Sequence, residues 1–166
     1  MVDEMIREHA AHQILQVLPA LKRILSTEVR RTENAMDPAH YGLLVRLSRC
    51  PHSLGELAER QGVSLATMSN SVSALAERGW VTRVPSRDDR RVMIVELTPR
   101  GAQVLSDVQL HIRQCLMDLL ANLSPEQLDQ VVAGVEILEG ILPSSQPEGA
   151  SRFSGAVRED GPQERH

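Results

Sequence analysis

Apolar residues in the first thirty positions recur at three- and four-residue steps, which is the spacing of one helical face. The pattern predicts a long first helix from Asp3 to Arg31. Pro19 falls inside it, and we expect it to kink or divide the helix, because proline lacks a backbone donor and clashes with the preceding turn. The apolar face consists of Ile6, Ile14, Leu15, Leu18, Leu21, Leu25 and Val29.

Three shorter helices are predicted next, each with its own start signal. Asp37-Pro38 is an N-cap followed by proline in the first helical position, and that helix ends at Cys50-Pro51. Ser53 and Glu56 have capping-box spacing and begin the next helix. A turn at Gly62 leads to a third helix, capped by Ser64 and ended by Gly79, whose inner face is predicted to hold Leu65, Met68, Val72 and Leu75. The last two helices form a helix-turn-helix pattern.

The apolar period then changes from about 3.6 to 2, which predicts two strands. They cover Trp80 to Val84 and Val92 to Leu97, and the polar loop from Pro85 to Arg91 joins them. A hairpin, or wing, therefore follows the helix pair directly.

Two more helices and a tail complete the chain. Thr98-Pro99 begins a long helix that ends near Asn122, and Ser124-Pro125 begins a last helix that runs through Leu142. Residues 143–166 are rich in Ser, Gly, Pro and charge, so they cannot bury enough surface to offset the entropy of ordering, and we expect a disordered tail.

Composition narrows the class of protein. Of 166 residues, 42% are hydrophobic but only 2% aromatic, so aliphatic side chains must build the core, and such a composition favours helices. No apolar run approaches the length of a membrane span, and the first ten residues lack signal-peptide character. We therefore expect a cytoplasmic protein without membrane contact, in which Cys50 and Cys115 are reduced thiols.

The distribution of charge matters more than its sum. A net charge of −4 argues against nucleic acid, which is bound largely through its phosphates. The segment from Arg78 to Arg91, however, contains five arginines and two aspartates, which gives it a local charge of +3. One short basic segment within an acidic protein is compatible with DNA binding.

The stretch from Ser53 to Gly101 resembles the winged helix-turn-helix core of the MarR family. The resemblance rests on L-A-x-x-x-x-V-S in the turn, L-x-x-x-G-W-V after the second helix, and D-R-R followed by V-x-L-T-x-x-G. The resemblance implies a mostly α fold with a small β-hairpin wing, flanked by long dimerisation helices. The expected regions are 1–36 (dimerisation helix), 37–100 (DNA-binding region), 101–142 (dimerisation helices) and 143–166 (tail).

A helix fits the major groove, so the polar face of the predicted Ser64 to Arg78 helix should meet base edges and phosphates. The family's DNA-contacting positions match Ala66, Thr67 and Asn70. Asn can pair with adenine, and Ala66 offers only apolar contact. Relatives often carry basic residues at Asn70 and Ala74 and an apolar residue at Ser71, so this helix should attract phosphates less. The candidate DNA-binding residues here are Ser64, Ala66, Thr67, Ser69, Asn70, Ser71 and Ser73.

The wing supplies the second candidate contact. In the family, an arginine of a D-x-R motif enters the minor groove and is held by the aspartate two residues earlier, which match Arg91 and Asp89. A guanidinium suits a narrow, negative minor groove. Arg83, Arg87 and Arg90 are then predicted phosphate contacts; the alternative is a merely solvated arginine-rich tip.

Dimerisation follows from the apolar terminal helices and from the resemblance, and a two-fold dimer predicts a pseudo-palindromic DNA site.

The family commonly responds to small organic effectors, and some members sense oxidants or zinc. His111 and Cys115 are four apart on one helix, and His9, His12 and the segment Cys50-Pro51-His52 offer other donors. Such pairs are more often packing than ligands, so we expect no metal and no cofactor.

Two other function classes are weighed against DNA binding. An enzyme is disfavoured because no nucleophile elbow, phosphate loop, dinucleotide fingerprint or H-E-x-x-H motif is present. A winged helix that binds an acidic protein through its arginines stays open; preference for one duplex sequence over another distinguishes it from a DNA-binding regulator.

Overall fold

The structure is a computed structural model that describes residues 2–86 and 89–142. Within these described ranges, six helices and three short strands follow in the order α1, α2, β1, α3, α4, β2, β3, α5 and α6. The helices are α1 Val2–Arg31, α2 Pro38–Leu47, α3 Leu54–Gln61, α4 Leu65–Glu77, α5 Pro99–Leu120 and α6 Pro125–Ile141. The strands are β1 His52–Ser53, β2 Val81–Pro85 and β3 Met93–Leu97. The predicted fold class, mostly α with a small wing, is confirmed.

The predicted helix starts are confirmed by their hydrogen bonds. The Asp37 carboxylate accepts from the backbone N–H of Ala39, and the capping box of Ser53 and Glu56 is complete. The Ser64 hydroxyl accepts from the N–H of Thr67, and Thr98 caps α5 in the same way. Each cap satisfies a donor that the first helical turn leaves without a partner.

The first helix runs through Pro19 without interruption. Of the two expected effects of Pro19, division of the helix is therefore wrong, and a kink stays a prediction. A single proline removes one hydrogen bond, and the unbroken turns on both sides carry the helix past it.

The sheet contains one strand more than predicted. β3 lies between β1 and β2, and both pairings are antiparallel. Arg83 of β2 lies opposite Val95 of β3, which in turn pairs with His52 of β1. Because β1 has only two residues, it has no sequence period of its own and exists through this pairing.

The core joins α1, α2 and α5 to the winged-helix elements. Its fully buried side chains include Leu43 and Leu44 of α2, Leu57 of α3 and Val108 of α5. In α4, Met68, Val72 and Leu75 are buried as predicted, but Leu65 is 57% exposed. The prediction for Leu65 is wrong because the first turn of α4 extends past the residues that cover the next three turns.

The chain divides into two units, Met1–Leu128 and Asp129–His166. The described part of the second unit is the remainder of α6 together with Leu142, and α6 contains no buried residue. The predicted tail, 143–166, lies outside the described residues. No helix in the described part of the chain is long and apolar enough to cross a membrane.

Candidate nucleic-acid interface

The exposed part of α4 is its first half. Ser64, Ala66, Thr67 and Asn70 are exposed, whereas Ser69, Ser71 and Ser73 are half-buried. The hydroxyls of Ser64 and Thr67 lie 2.8 Å apart, and Ser64 also caps the helix. Asn70 thus offers an exposed side-chain amide whose polar atoms are not used by the helix cap.

Leu65 belongs to this exposed surface as well. Sequence reasoning missed it, because its spacing to Met68 and Val72 is that of the buried face. The N-terminus of α4 presents backbone N–H groups and the positive end of the helix dipole, which attract anions. An apolar side chain beside a phosphate-attracting helix end suits contact with a thymine methyl group.

The tip of the wing is organised by Asp89. Its Oδ1 accepts from the backbone N–H of Arg91 at 2.9 Å, and its carbonyl oxygen accepts from the N–H of Val92 at 2.9 Å. The carboxylate therefore bonds the backbone of Arg91 and closes an Asx-type turn. Arg90 and Arg91 are both exposed, and Arg87 lies outside the described residues.

Two further arginines of the basic segment contact the protein itself. The Arg83 Nη2 donates to the carbonyl oxygen of Ser69 at 2.9 Å and to the Ser73 hydroxyl at 2.8 Å. The Arg78 guanidinium lies 4.8 Å above the Trp80 ring, and its Nη1 donates to the Asn34 carbonyl oxygen. Predicted site residues Ser73 and Arg83 are thus brought together, and phosphate contact by Arg83 stays a prediction.

The signature V-x-L-T-x-x-G holds the wing against α5. The Thr98 hydroxyl donates to the carbonyl oxygen of Gly79 at 2.7 Å, and its backbone N–H donates to that of Trp80. A Cβ at Gly101 would overlap the Trp80 carbonyl oxygen and lie 2.8 Å from the carbonyl carbon. Only glycine lets the first turn of α5 approach this backbone.

Four of the histidines and cysteines singled out in the sequence lie in two separate places, and His9 and His12 lie in the first half of α1. The Cys50 Sγ is 3.4 Å from the His52 Nε2, and the His52 Nδ1 is 3.9 Å from a Glu56 carboxylate oxygen. Burial lowers the pKa of His52, Arg60 and Arg46 lower it further, and Glu56 opposes them. Burial alone would raise the pKa of Glu56, but hydrogen bonds from Ser53 bring it below its usual value.

His111 and Cys115 lie on the side of α5 that meets α1. The His111 Nε2 is 2.9 Å from a carboxylate oxygen of Glu28, which also pairs with Arg31. Next to this contact an open groove of about 480 Å³ separates α1 and α5, lined by Arg23, Ile24, Thr27, Glu28, Cys115, Asp118 and Leu119. Within residues 2–86 and 89–142, no three His, Cys, Asp or Glu side chains are grouped as metal ligands.

The arrangement of α3, α4 and the hairpin defines the class: a winged helix-turn-helix protein. Residues 36–92 match the family model described as the MarR family. The uncharacterized HTH-type transcriptional regulator YdgG of Bacillus subtilis is 31% identical over 91 residues, 54% of this chain and 60% of that protein. The chain thus spans about three fifths of that curated relative.

Solved structures agree with this class. Wild-type MarR of E. coli in its apo form has a TM-score of 0.67 at 24% identity, over 80% of this chain and 96% of that one. Sco3205, a MarR family transcriptional regulator from Streptomyces coelicolor in complex with DNA, has a TM-score of 0.57 at 25% identity, over 84% and 91%. In residues 36–92 the chain is thus similar to the MarR family. These similar proteins are described as transcriptional regulators, which agrees with the expectation of a regulator rather than an enzyme.

Proposed function

We propose that this chain is a cytoplasmic transcriptional regulator that binds a pseudo-palindromic DNA site as a homodimer. The observation that carries the proposal is the exposed first half of α4 together with the exposed arginines of the wing. A helix in the major groove and an arginine in the adjacent minor groove form the two contacts that a winged helix makes. The DNA complex of Sco3205 supports the same use of this fold.

In the major groove, Asn70 is the proposed residue for hydrogen bonding to a base. Its amide can bond adenine bidentately, and Ala66 and Leu65 offer apolar contact to thymine methyl groups. Thr67 and Ser64 bond each other, so their contribution is to fix the helix start and to reach phosphates. Ser69 and Ser71 lie at the half-buried margin of the contact.

In the minor groove, Arg91 is the proposed inserted side chain, and Arg90 and Arg87 are proposed to contact phosphates. Asp89 positions Arg91 by holding its backbone in the turn. Ordering the backbone before binding lowers the entropy that is lost when the arginine inserts.

Exposed apolar surface on the terminal helices supports the homodimer. In α1, Ile6, Leu15 and Leu18 are 61%, 67% and 52% exposed, and in α6 Ile137 and Ile141 are 66% and 71% exposed. Apolar surface of this extent is typical of interaction sites. A two-fold dimer would present two copies of α4 to successive turns of the major groove.

The proposed regulator is a repressor that responds to a small organic effector. The groove between α1 and α5 has the volume of a small-molecule site, and its lining combines the apolar Ile24 and Leu119 with the charged Arg23, Glu28 and Asp118. An effector bound there would contact both α1 and α5, and α5 begins where Thr98 holds the wing.

Binding of duplex DNA by matched arginine variants tests the proposed function. Wild-type protein is titrated onto labelled random-sequence duplex at several salt concentrations, beside Arg91→Ala in the wing and Arg113→Ala on the exposed surface of α5. We expect affinity to fall as salt rises, Arg91→Ala to bind about tenfold more weakly, and Arg113→Ala to match the wild type. Absence of binding at low salt, or equal binding by all three proteins, would favour a winged helix that binds an acidic protein.

A further inference from the structure

Arg83 lies in the middle of β2 but directs its guanidinium away from the wing and onto α4. Its Nη2 reaches two acceptors that are four residues apart, the carbonyl oxygen of Ser69 and the hydroxyl of Ser73. Both bonds are short, at 2.9 and 2.8 Å, and the side chain is half-buried with its Nε enclosed. The guanidinium therefore spans one turn of the candidate recognition helix.

The position of this contact couples two elements that are proposed to bind different grooves. β2 follows α4 after the turn at Gly79, and the buried Val81 and Val95 pack in the same core as the inner face of α4. Arg83 adds a polar connection to this packing, because it joins the strand to the middle of α4. The planar guanidinium has donors in a fixed fork, so it restricts the angle as well as the distance.

We propose that Arg83 is a positioning residue that sets the angle between the wing and the recognition helix, and so determines sequence specificity. The inference rests on the proposed function. Specific binding needs α4 in the major groove and Arg91 in the minor groove at the same time, whereas non-specific binding needs only positive charge near phosphates. Loss of the Arg83 contact should therefore affect the preference for one sequence more than the affinity for any duplex.

A charge-conserving substitution separates this role from direct phosphate contact. Arg83→Lys keeps the positive charge but replaces the planar guanidinium with an ammonium on a flexible stem, so the directions of the two bonds are no longer fixed. Ser73→Ala removes one acceptor and leaves every wing residue unchanged. Arg113→Lys is the matched control, since Arg113 is an exposed arginine of α5 that is not among the proposed DNA contacts. Thermal unfolding of all variants checks that each one folds.

The readout is the ratio of affinities for the DNA site selected by the wild type and for a scrambled duplex. We expect Arg83→Lys and Ser73→Ala to lower this ratio about tenfold while affinity for the scrambled duplex stays near that of the wild type. A hydroxyl-radical footprint of Arg83→Lys should lose minor-groove protection and keep protection by α4. Arg113→Lys should retain the ratio.

Two outcomes overturn the inference, and they are distinguishable. If the wild type prefers one sequence and Arg83→Lys and Ser73→Ala keep that preference, Arg83 is not a positioning residue, although the proposed function stands. If the wild type prefers no sequence, the proposed function fails together with the inference. Should Arg83→Lys not fold, the ratio measured with Ser73→Ala decides in the same way.

Discussion

Among single residues, Gly101 most directly explains a signature of the sequence. Its α-hydrogen faces the Trp80 backbone at the point where Thr98 bonds the turn between α4 and β2. The pattern T-x-x-G thus forms one contact between α5 and the Trp80 backbone. Thr98 makes the hydrogen bonds, and Gly101 allows the close approach. The sequence could show the helix cap at Thr98. The close approach of Gly101 depends on the Trp80 backbone, which lies about twenty residues earlier in the chain.

Substitution of Gly101 by alanine should destabilise the protein. The added methyl group must displace the Trp80 backbone or α5, and such overpacking costs about 1–3 kcal/mol in free energy of unfolding. Urea unfolding measures the effect. Gly42→Ala is the control: it lies within α2 with open space at its Cβ, so helix propensity should raise stability by up to about 1 kcal/mol. Equal stability of Gly101→Ala and the wild type would contradict the proposed packing.

At the scale of elements, the sequence predicted what local chemistry controls. Caps at Asp37, Ser53, Ser64 and Thr98 could be read directly, because each bonds a residue two or three positions further on. The strand β1 could not be predicted from the local sequence, because it depends on pairing with β3. The exposure of Leu65 could not be predicted for a similar reason. The spacing of apolar residues identifies one face of a helix, but it does not show how far along the helix the covering residues extend.

The wing depends on an Asx-type turn that a carboxylate and an amide can both form. The Asp89 Oδ1 accepts from a backbone N–H, and an asparagine oxygen can accept the same bond. We therefore expect Asp89→Asn to bind DNA as the wild type does and Asp89→Ala to bind more weakly, as measured by fluorescence anisotropy. A loss of affinity in Asp89→Asn equal to that in Asp89→Ala would instead favour a charge pair with the Arg91 guanidinium, as the family resemblance implied.

For the whole molecule, the distribution of charge needs a correction. The sequence assigned a local charge of +3 to residues 78–91, but Arg78 and Arg83 both bond within the protein. Among the described arginines of this segment, Arg90 and Arg91 are the exposed pair at the wing tip. Within the described part of the segment, the basic surface exposed at the wing tip is therefore smaller than the linear count of arginines, since Arg78 and Arg83 also bond the protein.

Because the basic surface at the wing tip is small, specificity for a DNA sequence depends on the placement of the wing relative to α4 and on the presence of two protomers. Fewer phosphate contacts weaken non-specific binding, so two copies of α4 must together recognise the site. The apolar surface of α1 and α6 is the proposed means of bringing the copies together.

Selection of random duplex DNA by the purified protein tests this claim most directly, with Arg91→Ala selected in parallel. We expect the wild type to enrich an inverted repeat whose half-sites lie about one helical turn apart, and the variant to bind that repeat poorly. Enrichment of no sequence at low salt, or of a single half-site without symmetry, would contradict a dimeric, sequence-specific regulator.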